Sequence, residues 1–125
     1  MSQKKLILLV EDDPDISALM EKKLSIEGFD VKKIMDGEEA INYLETNIPD
    51  FVILDILMPK IEGISVLQMI HDGEKTNKIP VIVLSNLDSQ DSRDQVNAVG
   101  DYEYFVKAKT DLDDLVKRIK EKLGI

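Results

Sequence analysis

The chain has no cysteine and a single histidine. Disulfides, zinc–thiolate centres and thiol nucleophiles are therefore excluded, and a metal site would have to be built from oxygen donors. No apolar run approaches the ~20 residues that span a bilayer, and no signal-peptide pattern opens the chain. A cytoplasmic protein without membrane insertion is expected. No glycine-rich phosphate loop follows the first apolar run, which weighs against a flavodoxin-like cofactor binder. Basic residues are in the minority, 16 against 25 acidic ones, for a formal charge of −9. That balance predicts no direct contact with nucleic acid. What is present is an ordinary globular composition, 43% hydrophobic and 33% charged over 125 residues, enough for one core. No linker, repeat or low-complexity segment divides it, so a single domain over 1–125 with no output domain is expected.

The stretch Phe51-Val52-Ile53-Leu54-Asp55 organises the rest. A continuous apolar run bounded by turn signals reads as a strand buried on both faces of a parallel sheet. Lys5 to Val10 is a second such run, ended by Glu11-Asp12-Asp13-Pro14, and Pro80 to Leu84 is another, ended by Ser85-Asn86. Phe29 to Ile34 suits a sheet edge, and Tyr102 to Val106 is the fifth strand. Between the strands lie amphipathic segments. Asp13 and Pro14 start a helix carrying Ile16, Leu19, Met20 and Leu24, which Gly28 stops. Asp36 starts a second, with Ala40, Ile41 and Leu44 facing inward. A third buries Val66, Leu67 and Ile70. Residues 88 to 99 are polar and predict a short helix ending at Gly100 as its C′ residue. The last helix opens on a Thr110/Asp113 capping pattern and buries Leu112, Leu115, Val116, Ile119 and Leu123. Five strands alternating with five helices predict a doubly wound α/β sandwich.

Each central strand hands over to a polar residue: Glu11 and Asp12, then Asp55, then Ser85, then Lys107. In an open α/β sheet these ends gather in one crevice. Three carboxylates converging there repel one another unless a hard cation lies between them, and an oxygen-only donor set favours Mg²⁺. Ser85 and Lys107 supply a hydroxyl and an ammonium suited to phosphoryl oxygens. Together they describe in-line phosphoryl transfer to an aspartate. Taken singly, Asp55 could be a turn residue. Asp13 reads as no more than a helix-terminal acid, and His71 as an exposed surface residue.

Val10-Glu11-Asp12-Asp13-Pro14, Leu54-Asp55-Ile56-Leu57-Met58-Pro59, Leu84-Ser85 and Tyr104-Phe105-Val106-Lys107 resemble, in order, the receiver domain of two-component response regulators, of the chemotaxis-regulator-like kind. The resemblance implies a flavodoxin-like sheet with strand order 2-1-3-4-5. It implies that Asp55 accepts a phosphoryl group from a sensor histidine kinase or a histidine phosphotransfer protein, in a cytoplasmic phosphorelay that ends on a downstream protein target. Asp12, Asp55 and the Leu57 backbone carbonyl would bind Mg²⁺, with Glu11 acting largely through water. Ser85 and Lys107 would hold the phosphoryl oxygens. Tyr104 would follow Ser85 inward and remodel the surface of the fourth helix, fifth strand and fifth helix. Such a domain is a regulatory phosphoacceptor and catalyses only its own phosphorylation and dephosphorylation.

Some positions depart from the family pattern. Ala108 replaces the usual, commonly cis, proline, and a cis bond before alanine would cost roughly 2.5–4 kcal/mol. A trans Lys107–Ala108 peptide is expected, with Lys109 as a lesser substitute for Lys107. Asn86 is bulkier than the small residue usual there and would narrow access. Leu57 and Leu87 flank the expected path of hydrolytic water, which predicts slow self-dephosphorylation. Ile16, Ser17 and Met20 are the expected kinase-docking positions. Two other readings remain open: a phosphorylation-independent interaction module, and a small Mg²⁺-dependent phosphohydrolase. The second lacks an acid–base residue two positions after Asp55, where Leu57 stands.

Overall fold

The unbroken apolar runs become the central strands of a parallel sheet. The computed structural model describes residues 4–56, 63–86 and 90–125. Strands β1 (Leu6–Val10), β2 (Asp30–Ile34), β3 (Phe51–Leu54), β4 (Val81–Ser85) and β5 (Glu103–Val106) alternate with five helices. These are α1 (Pro14–Ile26), α2 (Gly37–Thr46), α3 (Gly63–Asp72), α4 (Gln90–Val99) and α5 (Leu112–Leu123), and one 3-10 turn covers Lys107–Lys109. All ladders are parallel, in the order β2-β1-β3-β4-β5.

Because side chains alternate along a strand, each central strand feeds two cores. Leu8, Val10, Val52, Leu54 and Val83 meet α2, α3 and α4 through Ala40, Leu44, Val66, Leu67, Ile70 and Val96. Ile7, Leu9, Phe51, Ile53 and Leu84 meet α1 and α5 through Met20, Leu24, Leu115, Val116 and Ile119. Strand β2 is the expected edge, and its exposed Lys32 and Lys33 discourage further strand pairing.

Local signals set most boundaries. Asp13 caps α1 by accepting the Asp15 and Ile16 amides, with Pro14 at its first position. Asp36 does the same for α2 through the Glu39 amide at 2.8 Å. Gly28, at φ 95°, turns the chain out of α1. Helix α4 is polar and buries only Ser92 and Val96. No cis peptide occurs among the described residues, so Lys107–Ala108 is trans as expected.

Four expectations are corrected. Leu19 is 58% exposed, because α1 presents Ser17, Met20 and Leu24 to the sheet instead. Ser17 and Met20 are each 2% exposed, so neither is available for docking a kinase. Gly100 is not left-handed; its amide continues the helical pattern to the Val96 carbonyl. Its lack of a side chain matters because a Cβ would meet the rings of Tyr102 and His71 at 2.9–3.0 Å. Those rings pack edge-to-face, and the Tyr102 hydroxyl and His71 Nδ1 share a 3.1 Å hydrogen bond, so exposed His71 is nonetheless partnered. Finally, Asp111 and not Thr110 caps α5, by accepting the Asp113 amide at 2.7 Å.

Gly63 joins α3 to the end of β3, its amide donating to the Ile56 carbonyl at 3.2 Å. A Cβ there would fall on the Asp55 carbonyl and the Ile56 Cα, both rigid backbone. Gly63→Ala should therefore lower stability by about 2–4 kcal/mol in urea unfolding. Gly100→Ala, which meets only ring edges, should cost clearly less.

Candidate functional site

The sheet ladder carries the acidic residues to their positions. The Asp55 amide donates to the Val10 carbonyl at 2.9 Å and the Glu11 amide to the Ile34 carbonyl at 3.0 Å. Both residues are thus fixed one step beyond their strands. Glu11 is 1% and Asp55 4% exposed. One carboxylate oxygen each from Glu11, Asp12 and Asp55 lies within 4.8 Å of the others. Lys107, delivered by the end of β5, places its Nζ 2.6 Å from Glu11 Oε1 and 2.9 Å from Asp55 Oδ2. The other Glu11 oxygen accepts the Asp13 amide at 3.2 Å.

This arrangement is electrostatically one-sided. Three carboxylates against one ammonium leave a net −2 when all are ionised. Burial pushes the Glu11 carboxyl up to about 7, and the Asp55 charge adds to the rise, while Lys107 and the Asp13 amide oppose it. Burial also works against the Lys107 ammonium, but Glu11 and Asp55 outweigh it and hold its pKa above the ordinary lysine value. Above the cluster opens a cleft of about 500 Å³, lined by Asp12, Asp13, Pro14, Asp15, Asp55, Asn86 and Lys107. The donor set is all oxygen, and its span is close to the ~4 Å that separates opposite ligands around Mg²⁺. The residues present therefore fit a small hard cation.

A model of the response regulator receiver domain matches residues 7–120. The chain belongs to that family. The receiver is 39% identical over 114 residues to the transcriptional regulatory protein PrrA of Mycobacterium tuberculosis, across 91% of this chain and 48% of that one. It spans about half the length of the curated relatives it matches. Among solved structures it is similar to the receiver domain of the Francisella response regulator 1452, with a TM-score of 0.85 and 29% identity over 97% of this chain and 98% of that chain. It is also similar to the phosphorylated cyanobacterial phytochrome response regulator RcpA, with a TM-score of 0.82 and 28% identity over 95% of this chain and 93% of that chain.

Of the residues singled out from the receiver's sequence, Glu11, Asp12, Asp55 and Lys107 converge. Ser85 ends β4, fully buried and paired in register with Val106; Asn86 follows it into the cleft wall. Tyr104 packs instead on the α3–α4 side of the sheet, with the Arg93 guanidinium 4.8 Å from its ring centroid. Leu57 and Leu87 lie outside the described residues. Arg93, which meets Tyr104, and Thr110, which lines a pocket with Lys107, are not picked out by the sequence. No sequence pattern marks Arg93, and the signal at Thr110 pointed to a cap.

The raised Glu11 pKa carries a sign that can be checked. The native state keeps a proton that the unfolded chain releases above its ordinary value of 4.5, so stability falls as pH rises through the window up to about 7. Urea unfolding in EDTA should show a loss of roughly 1–2 kcal/mol between about pH 5 and pH 8. Glu11→Gln, which cannot ionise, should flatten that slope.

Proposed function

We propose that this receiver is a phosphorylation-activated switch in which Asp55 accepts a phosphoryl group from a phosphohistidine on a sensor histidine kinase or histidine phosphotransfer protein. The observation that carries this reading is Asp55 itself: a buried carboxylate at a strand end that lines an open cleft, ion-paired to Lys107 and grouped with two further acids. Buried charge without such partners would be costly.

In the reaction, an Asp55 carboxylate oxygen attacks phosphorus in line. The O–P bond forms as the P–N bond breaks, and the electron pair leaves on the imidazole nitrogen, which takes up a proton. Lys107 exchanges its contact with the free carboxylate for one with a phosphoryl oxygen. The Ser85 hydroxyl donates to a second oxygen. Glu11, Asp12 and Asp55, with the Leu57 backbone carbonyl, would hold Mg²⁺, Glu11 largely through water. When bound, Mg²⁺ would neutralise charge on the phosphoryl oxygens. Similarity to phosphorylated RcpA supports this chemistry.

The output would be a shift of the α4–β5–α5 face. Movement of Tyr104 disturbs the Arg93 contact and so the seating of α4, whose buried residues are Ser92 and Val96. The excess of negative charge supports a protein rather than a nucleic acid as the receiver's own target. Kinase docking beside the cleft would rest on half-buried Ile16 and exposed Leu19.

Intact-protein mass after incubation with an acyl phosphate donor and Mg²⁺ tests the reading. One phosphoryl adduct is expected, absent in Asp55→Asn and in EDTA, and formed roughly tenfold or more slowly in Lys107→Ala. Its slow decay should accelerate in Leu57→Asn. An adduct that survives Asp55→Asn would overturn the assignment.

A further inference from the structure

We propose that Thr110 is a positioning residue that holds Lys107 in the carboxylate cluster. Strand β5 ends at Val106, the last pair of its ladder with β4. Lys107 then lies in a 3-10 turn that has no side-chain cap at its start. Such turns bond with poorer geometry than α-helices. The backbone closure from the Thr110 amide to the Lys107 carbonyl is long at 3.3 Å. The short contact is the Thr110 hydroxyl, which donates to the Val106 carbonyl at 2.7 Å. Thr110 therefore grips the chain on both sides of the Lys107 Cα: at the peptide before it through the hydroxyl and at the peptide after it through the amide.

Thr110 is free for this because Asp111 caps α5. It also stands beside the lysine, since Thr110 and Lys107 line one apolar pocket with Ile16, Met20, Leu84 and Leu115. The consequence is directional. Lysine has a four-carbon flexible stem, yet Lys107 Nζ meets two carboxylates at 2.6 and 2.9 Å. Two-point contact from a flexible side chain requires a fixed backbone origin. The Thr110 hydroxyl ties this turn back to the strand.

Competitive labelling with an amine-selective acylating reagent, read peptide by peptide, tests the idea on metal-free protein. In the native chain Lys107, only 9% exposed in its side chain, should react slowly. Thr110→Val keeps the shape and the amide but removes the hydroxyl, and should raise Lys107 labelling roughly five-fold with other lysines unchanged. Thr110→Ser should restore the native value. Unchanged Lys107 labelling in Thr110→Val, or an equal rise at every lysine, would overturn the proposal.

A second arm rests on the phosphoacceptor reading. Thr110→Val should slow adduct formation roughly five-fold in the native background and have no further effect in Lys107→Ala. An equal effect in both backgrounds would contradict action through Lys107. If the native chain forms no adduct, the phosphoacceptor reading fails and the labelling arm still decides the role of Thr110.

Discussion

One lysine makes the site possible. Glu11 and Asp55 end buried strands where an unpaired carboxylate would be strongly unfavourable, and Lys107 contacts both. Removing either partner type would leave uncompensated charge in the sheet's interior. The rest of the fold brings these groups together from distant positions in the sequence. Strands β1 and β3 lie side by side, which sets Glu11 next to Asp55. Strand β5 is two strands away from β3, so only a long side chain turned back from its end can reach them. The net negative charge that remains is what suits the cluster to a cation and then to a phosphoryl group.

The same strand that delivers Lys107 is tied into the surface by ion pairs. Arg118 on α5 contacts Glu103 on β5 and Glu121, and Lys122 also reaches Glu103. Lys23 on α1 pairs with Asp113 and Glu27, and Lys120 with Glu27, linking α1 to α5. Singly, such exposed pairs contribute little. Their effect is orientational: they join the helices on either side of the pocket that the Lys107 stem lines. Tyr104, the residue after Glu103, faces the opposite layer and meets Arg93.

Much of this was legible in the sequence because continuous apolar runs have few other uses. Ile7 to Val10, Phe51 to Leu54 and Val81 to Leu84 are buried as read, and the polar residue after each run, Glu11, Asp55 or Ser85, marks the strand end. Glu11 and Asp55 follow from that rule; Asp12 is the next residue along, and Lys107 ends the fifth strand in the same way. What was not legible depends on contacts across elements. Leu19 fits the helical stripe of α1, but the orientation of α1 on the sheet turns Ser17 inward and Leu19 outward. Gly100 reads as a helix stop, whereas the requirement is room for two rings, that of nearby Tyr102 and that of His71 from α3. Thr110 carries a capping signature that Asp111 pre-empts, leaving its hydroxyl to the Val106 carbonyl.

The most direct measurement is to locate the phosphoryl group chemically. Borohydride reduces an aspartyl phosphate to homoserine, so treatment of donor-exposed, Mg²⁺-loaded protein followed by peptide sequencing reports the modified position. The account predicts homoserine at residue 55 alone. Conversion at Asp12 or Asp13 instead, or no conversion at residue 55 in protein that carries a phosphoryl adduct, would contradict it.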